Sequence, residues 1–460
     1  MNDFSLKVYH RLPYFLQSYA AGIRGSYLRR WRYGKETEAL VEAALEREQW
    51  SAERWKNWQE EQLSVVLHRA VTRVPYYRAL WDQRKKRGDR KSYKYLENWP
   101  ILNKETLRRN LRVFIPDDQN IKNMAIVHTS GTTGKPLALW RSKETVRHWY
   151  AIFEARTRRW HDVHYKQNWA ILGGQPILNA KQNKPPFWIW NTALNQLYLS
   201  ANHLTRNNIK DYLDALSRYR ITHLFAYSSA ATFIANEIIN NKIEFDRLKL
   251  VVTNAEPCYP WQKILIQKGL AHNVKQVYGM GELVAAASEC EHNSMHLWPE
   301  IGWIESIQDV ENGPNSDQIV TKLVCTSLFN LDMPLIRYDV GDRGHIESHQ
   351  QPCACNRTLP TISDVDGRMN DYLQAPDGKR IYWTNHIFYG LPVCEAQIVQ
   401  ESVKDICILI VPAKGYNSDI SESIKNRVRS IIDSVNVVLK LVDFIPRGPN
   451  GKFKGVISRL

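Results

Sequence analysis

The sequence predicts an α/β protein, with a large multi-subdomain N-terminal unit followed by a small α+β C-terminal unit. At 460 residues the chain exceeds one ordinary hydrophobic core, so two or three domains are expected. From about 121 to 345, short apolar runs alternate with helical patterns, which points to a core with substantial parallel sheet. Beyond residue 367 the order changes to hairpin, helix and strand. The expected division is 1–366 and 367–460, with residues 1–120 largely helical and basic.

Near the N-terminus, Leu12–Ile23 is mildly apolar but is interrupted by Gln17 and Ser18. It lacks a convincing cleavage site, so it reads as packing and not as a secretory signal. Residues 36–90 read as helix, because Trp50, Trp55, Leu63, Val66 and Ala70 recur between charged positions. Pro75 ends that pattern. Strands are expected at Trp169–Leu172, His223–Ala226, Leu248–Thr253 and Lys275–Tyr278, separated by helical patterns such as Ser229–Ile239. In the tail, Pro376-Asp377-Gly378 between Asp371–Ala375 and Lys379–Trp383 is a hairpin signal. Asp419 and Glu422 have capping-box spacing, and Ile424, Val428, Ile431, Ile432 and Val435 form one helical face. The apolar run Val437–Ile445 is expected to be a strand.

Composition narrows the function classes. Apolar residues make up 43% and charged residues 24%, as in a globular protein, and no apolar run approaches the ~18 residues of a membrane span. The net charge of +15 is uneven: residues 1–200 hold 35 basic and 18 acidic side chains, the remainder 27 and 29. Clusters such as Arg29-Arg30-Trp31-Arg32 and Arg84-Lys85-Lys86-Arg87 suit a solvated basic surface, anionic substrates or peripheral contact with an anionic membrane. No nucleic-acid module accompanies them, so no nucleic acid is expected. Seven cysteines are too few for a disulfide scaffold, and a reducing cytoplasm is the expected compartment.

Five elements carry chemistry. The run Thr129-Ser130-Gly131-Thr132-Thr133-Gly134-Lys135-Pro136 combines glycines, hydroxyls and a lysine, a loop suited to holding phosphate. It is not a Walker A loop, whose glycine would fall at Thr129 and whose Ser or Thr would fall at Pro136. Tyr278-Gly279-Met280-Gly281-Glu282 follows an expected strand, where α/β folds bind ligands, and a carboxylate there can hold Mg²⁺ beside phosphates. Arg337-Tyr338-Asp339-Val340-Gly341-Asp342 offers Asp342 to ribose hydroxyls. Gly367-Arg368-Met369-Asn370-Asp371 lies at the expected domain boundary. Pro446-Arg447-Gly448-Pro449-Asn450-Gly451-Lys452 frames a lysine near the end of the chain.

In this order and at these separations, the elements resemble the adenylate-forming superfamily of acyl-CoA synthetases, adenylation domains and luciferase. Within it the chain is similar to the phenylacetate–CoA ligase branch, particularly its CapK-like members. Val74-Pro75-Tyr76-Tyr77-Arg78, Pro100-Ile101-Leu102-Asn103-Lys104, Tyr198–Ser200 with His203-Leu204, Asn254-Ala255-Glu256-Pro257 and Cys355-Asn356-Arg357-Thr358-Leu359-Pro360 carry the likeness.

The resemblance implies a nucleotide site. Thr129, Ser130, Gly131, Thr132, Thr133, Gly134 and Lys135 would cover the ATP β- and γ-phosphates. Ala255 and Glu256 would line the adenine pocket, with Tyr278 and Gly279 near the ring. Glu282 would help bind Mg²⁺, and Asp342 and Arg368 would hold the ribose. Lys452 would bridge the substrate carboxylate and the α-phosphate. Asn370, where the family often has Asp or Lys, would be the hinge of a mobile C-terminal lid. Tyr227, Ser228 and Ser229 would lie near the acid. These assignments suit the chemistry, because a carboxylate attacking polyanionic ATP needs cations at the developing charge.

Cys290, His296, Cys353 and Cys355 offer a Cys₃His set for a structural Zn²⁺, with His292 competing for the fourth place and simple buried thiols the alternative. Related CapK-like chains carry similar sets. The expected function is ATP-dependent, AMP-forming activation of an acyl or aryl carboxylic acid, with transfer to CoA. Transfer to an amine acceptor, in surface polysaccharide (capsular) or secondary-metabolite biosynthesis, is the alternative. An inactive nucleotide-binding scaffold ranks last, because Glu282, Asp342 and Lys452 are all present.

Overall fold

A computed structural model describes residues 8–128, 137–175, 177–179, 181–308, 321–346, 352–368, 373–376, 380–381, 385–388, 390–413, 415–432, 434–448 and 452–460. The N-terminal region is helical, with α1 (Tyr14–Arg32), α2 (Lys35–Arg47), α3 (Ala52–Arg73) and α4 (Pro75–Arg84). Ser51 starts α3 by accepting a hydrogen bond from the Arg54 N–H at 3.1 Å. Extended Val74 closes α3, and Pro75 opens α4 where its missing N–H costs nothing. Pro75 is thus a junction of two helices and not only a terminator.

The Leu12–Ile23 expectation of packing holds for one face only, where Tyr14 and Ala21 lie against the main core. α1 turns buried Gln17 and Gly25 to the protein and leaves Phe15, Leu16, Tyr19 and Ile23 exposed. The reason is closeness of approach: a Cβ at Gly25 would lie 2.1 Å from Asn191 Oδ1. At that point of contact only glycine fits.

After α5 (Lys104–Arg109), the antiparallel pair β1 (Ala125–His128) and β2 (Ala138–Arg141) leads into α6 (Lys143–Thr157). The main sheet follows, from β3 (Trp169–Gly173), β4 (Trp188–Asn191), β5 (Gln196–Ser200), β6 (His223–Tyr227), β7 (Leu248–Asn254), β8 (Ala271–Gly279), β9 (Ala286–Glu289) and β10 (Met295–Leu297). Their order is β10-β9-β8-β7-β6-β3-β5-β4. Strands β5, β3, β6, β7 and β8 are parallel, with antiparallel β4 at one edge and β9 and β10 at the other. The four expected strands and the expected Ser229–Ile239 helix are all present.

Helices α7 (Ile209–Arg218), α8 (Ser228–Asn240) and α9 (Pro260–Gly269) connect successive parallel strands. Leu172, Leu197, Leu224, Ile234, Val251 and Ile266 belong to the core between sheet and helices. Tyr227, Asn254 and Gly279 close β6, β7 and β8 at the carboxyl edge of the sheet, where open α/β folds place ligands.

A second, antiparallel sheet runs β11 (Gly302–Gln308), β12 (Thr321–Ser327), β13 (Tyr338–Ile346), β14 (Ile362–Arg368). Leu102 is stitched to its β13 side by Leu102 N–H to Arg337 O at 2.8 Å and Asp339 N–H to Leu102 O at 2.9 Å. Those bonds carry Asn103 and Lys104 to the site. The expected division between 366 and 367 falls within β14, which runs to Arg368.

The C-terminal unit has its own core. Paired β15 (Leu373–Gln374) and β16 (Arg380–Ile381) match the expected hairpin, whose Asp377-Gly378 tip lies outside the described residues. A mixed sheet of order β19-β18-β17-β20 follows, from β17 (Val393–Gln400), β18 (Asp405–Pro412), β19 (Asn436–Leu441) and β20 (Val456–Ser458). Helix α10 (Ser418–Arg429) lays Ile424 and Val428 against Ile406, Ile408 and Ile410.

Two local expectations change here. The cap of α10 is Asn417, which accepts the Ile420 N–H at 3.1 Å, so Asp419 lies in the first turn. The run Val437–Ile445 is a strand only as far as Leu441.

Candidate functional site

Glu282 leaves the end of β8 into a nearly closed environment, 6% exposed. The Tyr338 hydroxyl donates to its Oε1 at 3.0 Å, and Lys104 Nζ stands 3.3 Å from the same oxygen. From β2, the buried Arg141 donates to the Gly281 carbonyl. Burial pulls the Arg141 pKa down to about 10, against the pull of the Glu282 charge. Arg141 Nε is buried with no partner among the described residues. This carboxylate therefore sits between cations from two elements distant in sequence. In the sequence Lys104 stands out only as part of the Pro100–Lys104 motif. Its local signal is the Asn103 cap, whose Oδ1 accepts the Thr106 N–H at 2.8 Å and fixes the first turn of α5.

Tyr278, also on β8, donates its hydroxyl to Asp342 Oδ2 at 2.9 Å. Burial, with the Asp342 charge next, raises its pKa well above the ordinary tyrosine value, so the phenol stays a donor. Across the sheet Asp342 is in register with Arg368. The structure thus brings Tyr278, Asp342 and the backbone of Arg368 together. A Cβ on Gly279 would meet nothing nearer than Trp149 at 3.5 Å. Packing within the chain therefore does not require glycine at that position.

Glu256 follows Ala255, whose φ of 63° places a non-glycine residue in the left-handed region. One carboxylate oxygen, Oε2, accepts the Ser229 N–H at 3.0 Å and faces Ser228 Oγ at 3.3 Å. It caps α8, whose own N-cap Tyr227 supplies no side-chain cap. The other oxygen, Oε1, accepts the Phe453 N–H at 2.6 Å. Phe453 follows Lys452, and the Lys452 carbonyl accepts the Gly448 N–H at 2.9 Å, closing the lysine's turn. Arg447 pairs with Glu395 and lies 4.9 Å over the Phe453 ring, which holds that turn to the C-terminal sheet. Thr129, Ser130, Gly131, Thr132, Thr133, Gly134, Lys135 and Asn370, and the side chain of Arg368, lie outside the described residues.

A second cluster lies away from this row. One ligand atom from each of Cys290, His296, Cys353 and Cys355 falls within 4.8 Å of the others, and the set contains His296, not His292. Cys290 Sγ and Cys353 Sγ are 3.7 Å apart. A tetrahedral zinc with Zn–S bonds of about 2.3 Å needs roughly this sulfur spacing. Cys355 Sγ is 3.3 Å from His296 Nε2, while His296 Nδ1 lies 3.0 Å from the Leu359 carbonyl. A proton held at Nδ1 by that carbonyl leaves Nε2 for a metal. Burial opposes it, but surrounding hydrogen bonds hold the Cys353 thiol at about 6. Donor set and spacing both fit zinc.

Comparison with known proteins follows the same lines. Residues 373–459 match the CapK C-terminal domain. The chain is 23% identical to Protein CapK of Staphylococcus aureus, over 98% of this chain and 99% of that one. It is 25% identical to the phenylacetate-coenzyme A ligase of Thermus thermophilus, over 70% and 72%. A crystal structure of 2-hydroxyisobutyryl-CoA ligase, in the postadenylation state with 2-HIB-AMP, shares the fold at a TM-score of 0.65. That match covers 90% of this chain and 91% of the ligase at 17% identity. The chain is thus similar to Protein CapK along nearly its whole length and shares the fold of an adenylate-forming CoA ligase. The same ligase in the thioesterification state matches at a TM-score of 0.51. No helix among the described residues is long and apolar enough to cross a membrane.

Proposed function

We propose that this chain activates a carboxylic acid with ATP and transfers the acyl group to CoA. The bond between Glu256 and Phe453 N–H carries the reading, since it docks the turn bearing Lys452 at the carboxyl edge of the main sheet. A substrate carboxylate oxygen attacks the α-phosphorus, the α–β phosphoanhydride bond breaks, and pyrophosphate leaves. The CoA thiolate then attacks the acyl carbon and AMP leaves. Lys452 neutralises charge at the α-phosphate, and residues 129–135 steady the departing pyrophosphate.

Ala255, Glu256, Tyr278 and Gly279 line the adenine side, and Asp342 with Arg368 holds the ribose. The Tyr278 bond turns the Asp342 carboxylate toward β8. Glu282 would hold Mg²⁺, which supplies positive charge to the phosphates when bound. One carboxylate partly compensated by Lys104 suits an ion whose remaining ligands are phosphate oxygens and water. The Cys₃His cluster would hold a structural Zn²⁺ with no part in the chemistry.

In this reading residues 1–366 form the adenylating unit and residues 367–460 the lid, turning about Asn370 between the two half-reactions. The protein works in the cytoplasm, and its basic first 200 residues associate peripherally with an anionic membrane surface. CoA is favoured over an amine acceptor because the relatives with a stated activity are phenylacetate-coenzyme A ligases. Carboxylate-dependent AMP release, compared with CoA and with amine acceptors over an acid panel, tests this. Release with CoA supports the reading, and release with amines alone replaces it.

A further inference from the structure

The α1 helix leaves most of its large apolar side chains outside. Its inward face sets Tyr14 and Ala21 against the main core, buried Gly25 against Asn191 at the end of edge strand β4, and Gly22 near Thr192. Buried Gln17 spends its amide on the Tyr9 and Leu12 carbonyls. The outward face carries Phe15, Tyr19, Ile23 and Tyr27, exposed by 67, 68, 58 and 54%. These positions recur every fourth residue, so they stack along one side of the helix. Leu16 is exposed beside them. Among the described residues, no apolar segment covers this face.

Charge identifies the occupant. α1 contains Arg24, Arg29, Arg30 and Arg32 and no acidic residue. On a helical projection, exposed Arg30 falls within the apolar stripe and exposed Arg24 at its margin. Lys143 Nζ lies 5.2 Å over the Tyr27 ring at the far end. Aromatic and branched side chains along one face, with one arginine at its margin and another at its C-terminal end, match the boundary between lipid headgroups and acyl chains. A second copy on a two-fold axis would instead set Arg24 and Arg30 against like charges.

We propose that α1 is an interfacial helix, which docks the protein on an anionic phospholipid surface through Phe15, Tyr19, Ile23 and Tyr27. The choice of an anionic surface rests on the peripheral association proposed above, and not on the catalytic reading. Phosphate groups would meet the arginines while the stripe enters the headgroup layer, leaving the carboxyl edge of the main sheet open to soluble substrates.

The test is flotation of the full chain with vesicles of phosphatidylglycerol and phosphatidylcholine, against vesicles of phosphatidylcholine alone. Binding to the anionic vesicles is expected, weakening at high salt. The triple variant Phe15→Ser/Tyr19→Ser/Ile23→Ser should lose at least about tenfold in affinity, since interfacial binding scales with buried apolar area. Its unchanged melting temperature and far-UV circular dichroism would show that the fold is intact. Arg24→Glu/Arg30→Glu should lose anionic binding as well, whereas Ile264→Ser, at an exposed position of α9, should bind as the parent does. Anionic binding that ignores both α1 variants would overturn the helix assignment and leave the association standing. No vesicle binding, or equal binding to neutral vesicles, would overturn both. A concentration-dependent dimer dissolved by the triple variant would give the stripe to a second copy and also overturn the proposal.

Discussion

The Glu256 carboxylate holds the Phe453 N–H at 2.6 Å while its other oxygen takes the Ser229 N–H at 3.0 Å. One side chain thus ties the first turn of α8 to the C-terminal turn that presents Lys452. If the lid turns between half-reactions as proposed, it must break the first bond and can keep the second, and Glu256 would then latch one lid position.

Glu256→Gln keeps an acceptor but removes the charge. Hydrogen bonds to charged groups contribute about 1.5–3 kcal/mol, so loss of the charge should lower the docked population by roughly tenfold. Rapid-quench measurement of pyrophosphate release should show that fall, with thioester formation from supplied acyl-adenylate nearly unchanged. Equal slowing of both steps would remove the latch.

Gly279→Ala isolates ligand approach from folding. The added methyl group would meet only ordinary contacts in the chain, the nearest 3.5 Å away. Its melting temperature should stay within about 1–2 °C of the parent, as for a substitution that strains nothing. The KM for ATP should rise by about tenfold if nucleotide lies against that backbone. An unchanged KM would place the adenine elsewhere.

The metal prediction has a readout independent of activity. Elemental analysis of the purified chain should find one zinc per molecule, and Cys353→Ser or Cys355→Ser should lose it. Because the ligand loops also carry Arg357, paired to Glu48 on the N-terminal helices at 3.0 Å, losing the metal should lower the melting temperature by several degrees. His292→Ala should retain zinc, whereas His296→Ala should not.

Tyr278 gives an alkaline signature. Its folded pKa lies above the unfolded one, so the folded state holds its proton longer as pH rises through 10. Its stabilisation is complete below about pH 10, the unfolded tyrosine value, and fades above it. Melting curves between pH 8 and 11 should therefore fall less steeply above pH 10 for Tyr278→Phe than for the parent. Identical slopes would contradict the burial of this phenol against Asp342.

Local pattern made much of this molecule readable. The strands ending at Tyr227, Asn254 and Gly279 are short apolar runs bounded by turn residues, and they brought Glu282 and the neighbourhood of Asp342 within reach of inference. The pairs Lys104–Glu282 and Glu256–Phe453 were not readable, because each joins segments far apart in sequence and leaves no local period. α1 shows a different limit. Periodicity locates a helix and its apolar side, but the Gly25–Asn191 contact decides which side faces the protein. At α10 the cap is Asn417, two residues before the expected Asp419, a shift decided by backbone geometry.

The most direct test of the account is carboxylate-dependent ATP–pyrophosphate exchange by the parent chain and Lys452→Ala, with ATP affinity measured alongside. Exchange is expected with at least one acid, with a fall of about 10²–10³ in the variant, the usual cost of removing a charge-stabilising donor, and ATP affinity changed far less. Exchange by Lys452→Ala at the parent rate, or none by the parent over a broad acid panel while ATP still binds, would contradict it.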